Sequence, residues 1–152
     1  MATAEVIALL RLKPVFIDID PNTFNIDPNL LEEKITPKTK AIVPVHLFGQ
    51  CADMGSIMQI AAEYKLDVIE DTAQAIGAEY TFKDNSTKLA DTIGTIGTNS
   101  FFPSKNLGCY GDGGALFTNN EEIGRKAEVI ANHGQVVKYN IGEVYNFQNL
   151  MG

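Results

Sequence analysis

The chain has 152 residues, 45% of them hydrophobic and 20% charged, with a net charge of -7 and a pI near 4.7. This is the size of one domain with a sizeable core and the composition of an ordinary globular protein. An acidic surface repels a phosphate backbone, which excludes nucleic acid as a partner, and no apolar run reaches the roughly 18 residues of a membrane span.

No basic segment followed by an apolar stretch and a cleavage site opens the chain, so a cytoplasmic protein is expected. Cys51 and Cys109 stand alone, without metal-ligand spacing. They read as buried or incidental thiols of a reducing compartment, and no metal site is expected.

In chain order, Glu5 to Leu12 is predicted as a short helix, with Val6, Leu9 and Leu10 at helical spacing. Pro14 ends it, and Val15 to Ile19 alternates as a strand closed by the turn Asp20-Pro21-Asn22. Asp27 is placed to cap a helix with Pro28 at its first position and Leu30, Leu31 and Ile35 as its stripe. Thr39 to Leu47 reads as a strand apolar enough to be buried on both faces, broken at Gly49. Asp53 caps a further helix, whose Met54, Ile57, Met58, Ala61 and Tyr64 recur at three and four residues, with Met54 and Met58 read as core filler.

Leu66 to Ile69 is predicted as a short buried strand ending in Glu70 and Asp71. A polar excursion from Lys83 to Asp91 comes next, then the Gly/Thr-rich segment GTIGTNSFF, a strand at Gly114 to Thr118, and a helix from Glu121 to His133. His133 reads as a helix-terminal cation. Strands alternating with helices predict an α/β domain, three-layer α/β/α, with a mostly parallel sheet.

The segment GTNSFFPSKNLGCYGDGG sets Lys105 between Phe101, Phe102 and Pro103 on one side and Gly108, Gly111, Gly113 and Gly114 on the other. Ser100 and Ser104 add hydroxyls suited to an anion. His46, Asp71 and Lys105 each come after a predicted strand, and such ends share one rim in a parallel sheet, where ligands collect. A carboxylate directly after an apolar strand is partly desolvated and calls for a cation. Lys105 in a structural salt bridge meets that need, as does the protonated ring nitrogen of a bound cofactor; a plain solvated lysine and an exposed aspartate stay open beside them. The glycines of GCYGDGG lack the strand and helix context of a dinucleotide site and read as turn formers.

The segments ATAEVIALL, KPVFIDIDPNTFNID, TPKTKAIVPVHLFGQCADM, VIEDTAQAIGA and SFFPSKNLGCYGDGGALFTN together resemble the sugar aminotransferases of the DegT/DnrJ/EryC1/StrS family. The resemblance runs from Ala2 to about Tyr139, and the pair EDTAQ and FFPSKNLG is its most specific part. Within the family the wording is most similar to the enzymes that aminate the C3 ketone of a UDP-linked 2-acetamido-3-oxo-glucuronic acid.

The resemblance implies the aspartate-aminotransferase fold (fold type I), with residues 1–152 forming part of its large domain, and pyridoxal 5'-phosphate as cofactor. It implies an amino-acid donor such as glutamate, a nucleotide-linked keto-sugar acceptor of cell-surface polysaccharide biosynthesis, and a homodimer. Carried over by residue, Lys105 matches the lysine that bonds to the cofactor aldehyde and shuttles the substrate proton. Asp71 matches the carboxylate that keeps the pyridine nitrogen protonated. Gln74 matches an amide near the ring and its 3-hydroxyl, and Ser100 a hydroxyl that donates to the phosphate. His46 is a looser match, better read as core packing.

The resemblance also implies segments this sequence does not contain: a phosphate-binding turn and a ring-stacking aromatic before Met1, and a small domain after Gly152. The expectation is therefore a truncated form, whether a relic or a core fragment. The last stretch, NIGEVYNFQNLMG, departs from the family pattern, and Asn146 is only a loose match to an asparagine that reaches a partner subunit's cofactor. A non-catalytic remnant that acts as a binding module is the alternative function. The family's dehydratase branch, which has histidine at the lysine position, is disfavoured by Lys105.

Overall fold

The computed structural model describes residues 2–135. Two compact units are present, one running to Phe117 and one beginning at Thr118. The first opens with helix α1 (Ala2–Leu9), closed by Arg11 at a left-handed φ of 59°. The helix lies three residues earlier than the sequence spacing predicts. It buries none of its residues, so Val6, Leu9 and Leu10 are not the core stripe they resemble.

The predicted strand at Val15 to Ile19 is absent; only one bridge, between Ile19 and Ile26, forms there. Its alternation finds no neighbour to pair with, and Phe16 is exposed. Asp27 caps as expected, accepting from the Asn29 N–H, but the cap leads into two 3-10 turns, Pro28–Leu30 and Glu32–Lys34. Only eight residues separate Pro28 from Pro37, too few to recover the cost of nucleating a helix. The long apolar run at Thr39 to Leu47 yields a strand, β1, only at Ala41–Ile42. Pro44 has no N–H for the ladder, although its carbonyl accepts from the Asp71 N–H and Val45 resumes a bridge to that residue.

Helix α2 (Met54–Tyr64) forms where the sequence places it. Asp53 accepts from the Ser56 N–H, and Met54, Ile57 and Ala61 are buried. Strand β2 (Asp67–Asp71) comes next, and the polar excursion is in fact a hairpin of β3 (Glu79–Thr81) and β4 (Thr87–Leu89). Strands β5 (Ile96–Ser100) and β6 (Gly114–Phe117) complete the unit.

The main sheet has the order β1-β2-β5-β6. β1, β2 and β5 are parallel, and β6 pairs with β5 antiparallel. The fold is therefore α/β with a mostly parallel, mixed sheet. Its core is built from Leu31, Ile42, Met54, Ile57, Ala61, Val68 and Ile93, so α2 is held against β1 and β2 by apolar side chains.

The second unit contains helix α3 (Glu121–Ala131), capped by Asn120, whose side chain accepts from the Glu122 and Ile123 N–H groups. Arg125 pairs with Glu121 and Lys126 with Glu122, both on exposed positions. His133 is exposed beyond the end of α3, with a φ of 57°. Asn146 lies outside the described residues. No helix among the described residues is long and apolar enough to cross a membrane.

Candidate active site

The site is assembled at the carboxyl ends of β2 and β5. Asp71 pairs with Thr98 across the two parallel strands, and paired residues present side chains to the same face. Ser100, two residues further along β5, returns to that face. From the strand spacing of about 4.8 Å and a rise of about 3.3 Å per residue, the Cα atoms of Asp71 and Ser100 lie roughly 8 Å apart.

The carboxylate of Asp71 is half-buried. Its Oδ2 accepts from the Thr3 hydroxyl at 2.6 Å and its Oδ1 from the Ala73 N–H at 3.2 Å. The Ser100 Oγ accepts from the Phe102 N–H at 3.3 Å, which leaves its own proton to donate elsewhere.

Lys105 sits on a compact loop after β5. The loop is closed at its base by Phe101, whose carbonyl accepts from the Cys109 N–H and whose N–H donates to the Gly113 carbonyl, both at 2.8 Å. The Lys105 N–H donates to the Phe102 carbonyl at 2.8 Å. Gly108 is required where it stands: a Cβ there would meet the Pro103 carbonyl oxygen at 2.5 Å. The turn-forming role read for the glycine cluster thus has a geometric cause at this position.

The half-buried Lys105 opens onto a cavity of about 450 Å³ lined by Phe48, Gly49, Gln74, Ser104, Lys105 and Asn106. The structure therefore brings Lys105 and Gln74 together, with Ser104 beside them. Asp71 and Ser100 stand outside that lining, on their strand ends. The salt bridge between Asp71 and Lys105 that the sequence left open is not made; among the described residues Lys105 forms no ion pair. Phe48 and Asn106 were not singled out in the sequence, and the usable signal was an aromatic directly before Gly49 at a strand end.

Beneath this rim, on the opposite face of β2 from Asp71, lies a buried polar cluster. Ala52 donates its N–H to His46 Nδ1 at 3.1 Å, which assigns the ring proton to Nε2, and Nε2 donates to Glu70 Oε2 at 3.0 Å. Glu70 also accepts the N–H groups of Asp91, Ile93 and Gly94. Burial alone would raise the Glu70 pKa, but the hydrogen bonds from His46, Gly94 and Ile93 outweigh it and hold the carboxyl below its ordinary range. His46 is thus a packing and positioning residue with both ring nitrogens engaged inside the core. Nearby, Cys51 has its pKa raised by burial and by the carboxylates of Glu70 and Asp91, the opposite of an activated thiol. No group of metal-ligating side chains occurs among the described residues.

A family model described as the DegT/DnrJ/EryC1/StrS aminotransferase family matches residues 1–150. The UDP-2-acetamido-2-deoxy-3-oxo-D-glucuronate aminotransferase of Pseudomonas aeruginosa is 55% identical over 139 residues, covering 91% of this chain and 37% of that protein. The chain thus spans little more than a third of the length of this relative. Among solved structures, a DegT/DnrJ/EryC1/StrS aminotransferase from Brucella abortus superposes with a TM-score of 0.81 at 40% identity, over 94% of this chain and 39% of that one. NtdA from Bacillus subtilis, solved with bound cofactor PMP, gives a TM-score of 0.82 at 42% identity, over 95% of this chain and 31% of that one.

Proposed function

The chain belongs to the DegT/DnrJ/EryC1/StrS aminotransferase family, and from that premise we propose that it carries part of the cofactor-binding large domain of a pyridoxal-phosphate transaminase. The reaction moves an amino group from an amino acid, glutamate in the first instance, to a nucleotide-linked keto-sugar. The observation that carries this reading is the cavity shared by Lys105 and Gln74, next to the strand ends that bear Asp71 and Ser100.

The donor set suits that cofactor in kind: a primary amine for an aldehyde, a carboxylate for a pyridinium, a hydroxyl for a phosphate and an amide for a phenolic oxygen. The cofactor, when bound, supplies an electron sink for the pair left on carbon after its proton is removed. Lys105 would offer the amine, and within each half-reaction its Nζ would take that proton as base and give it back as acid. Asp71 keeps a proton on the ring nitrogen, and Thr3 helps to fix the orientation of its carboxylate. Ser100 holds the phosphate, and Gln74 offers its amide to the 3-hydroxyl. A cytoplasmic homodimer is the assembly proposed.

Adding pyridoxal phosphate is expected to give a visible absorbance band that Lys105→Ala lacks. Borohydride reduction and peptide mass spectrometry should then place the label on Lys105. No band at saturating cofactor, or a label on a different lysine, sinks this reading.

A second reading is a non-catalytic module that binds a partner. It is favoured by the large apolar side chains left exposed, among them Leu9 at 82% and Phe16 at 75%.

A further inference from the structure

Phe24 and Phe48, to which the amino-transfer reading assigns no role, share a backbone conformation that phenylalanine rarely adopts. Their φ values are 60° and 55°, in the left-handed region where glycine is favoured over a bulky side chain. Both rings face outward, 51% and 74% exposed. They meet edge to face, with centroids 6.3 Å apart and an interplanar angle of 79°. Neither burial nor local backbone preference accounts for aromatic residues at these two turns.

A set of buried polar groups holds the turns in place. Asn25, 2% exposed, accepts the Leu47 N–H at 2.9 Å and donates to the carbonyls of Gln50 and Cys51 at 3.2 and 3.3 Å. It thereby ties the turn carrying Phe24 to the turn carrying Phe48. The Asp20 carbonyl accepts the Phe24 N–H at 2.8 Å, and the His46 ring closes the far side of the Phe48 turn through Ala52. Strain of this kind persists only where the surroundings over-determine it, and such residues cluster at ligand clamps.

The position of the pair indicates its occupant. Phe48 lines the cavity that holds Lys105, and Phe24, outside that lining, meets it edge to face, so the two rings form an angled shelf beside the cavity. The inference rests on the transaminase reading, in which the reacting carbon lies at Lys105 Nζ and the rest of the substrate runs out of the cavity. We propose that Phe48 and Phe24 form the subsite for the planar base of the nucleotide that carries the sugar. A base that stacks on the face of one ring meets the other ring at its edge, and because every base has a face to stack, the shelf gives affinity more than base identity.

Calorimetric titration of the protein with UDP and, separately, with inorganic pyrophosphate tests the subsite. Phe48→Gly relieves the left-handed strain and is expected to keep or raise the melting temperature. At the same time it should weaken UDP about 5- to 150-fold, the range for loss of one base–aromatic stack, with pyrophosphate unaffected. Phe24→Gly is the second variant and should act in the same direction.

UDP binding unchanged in both variants overturns the subsite, as does an equal loss for pyrophosphate. A visible band with pyridoxal phosphate but no UDP binding to the parent protein overturns the shelf alone. UDP binding that is lost in the variants, without a band in the parent, supports the shelf and overturns the transaminase reading.

Discussion

Glu70 and Asp71 are neighbours in β2 that face opposite sides of the sheet, and their environments part accordingly. Glu70 is fully buried and its carboxylate collects one ring N–H and three backbone N–H groups. Glu70→Gln replaces one acceptor oxygen by an NH₂ group, so some of those four donors must face another donor. Each buried donor left unmatched costs about 1–3 kcal/mol, so the variant is expected to lose about 2–5 kcal/mol in urea unfolding. Because the folded pKa of Glu70 is depressed from its ordinary 4.5, its stabilisation is complete above that value and lost as pH falls through the folded value. Glu70→Gln should therefore flatten the acid limb of the stability curve, with His46, Cys51 and Asp91 around it unchanged; an unaltered limb would contradict the assignment. The sequence shows two acids after an apolar strand and gives a chemical reason to single out Asp71. It shows no partner for Glu70, since three of its donors are backbone groups from a turn more than twenty residues away. His46 stood in the sequence both as a strand-end candidate and, being a loose match to the family, as core packing; its fully buried ring, bonded to Glu70 and Ala52, answers to the second.

Among the elements, α2 was readable from its Asp53 cap through Ala61, but its stripe was read one residue too far, since Tyr64 is exposed at the helix end. The run at Thr39 to Leu47 was readable as buried but not as a two-residue strand, because hydrophobicity reports burial while the ladder depends on the missing N–H of Pro44. The strand expected at Val15 to Ile19 failed for a related reason: alternation describes a face, and pairing requires a neighbour. Lys105 and Gln74 come from segments that the β2 to β5 crossover separates, so their shared cavity arises from topology and not from either motif. The C-terminus of α2 is a place where this sequence departs from the local optimum. Lys65 sits there in the left-handed conformation with a φ of 55°, its N–H donating to the Ala61 and Ala62 carbonyls. A non-glycine residue in that conformation costs about 1–2 kcal/mol, partly offset by the roughly 0.5–1 kcal/mol of extra chain entropy that glycine loses on folding. Lys65→Gly is thus expected to stabilise the protein by about 0.5–1 kcal/mol in thermal or urea unfolding, and Lys65→Ala to give no such gain. Equal effects of the two substitutions would show that charge, not backbone strain, governs this position.

At the scale of the whole molecule, two features act against each other. The net charge of -7 keeps copies apart, while exposed Leu9, Phe16, Leu107 and Tyr110 favour contact. Two such charges about 30 Å apart repel by about 7 kcal/mol in water without salt. With a Debye length of about 30 Å at 10 mM salt, about 2–3 kcal/mol of that remains, and at about 8 Å in 150 mM salt only about 0.2 kcal/mol. Removing one leucine or phenylalanine side chain from water contributes about 1.5–3 kcal/mol. Two of them contribute about 3–6 kcal/mol, against a salt-independent cost of lost free motion of about 4–15 kcal/mol. More than two must therefore be covered for a stable contact, and salt shifts its balance by the about 2–3 kcal/mol of repulsion that it screens. Sedimentation velocity across this salt range is expected to show association that grows with salt, in the direction a homodimer joined through apolar surface requires. Association that weakens as salt is added would mean that opposite charges meet at the contact, and the apolar side chains would then need another explanation.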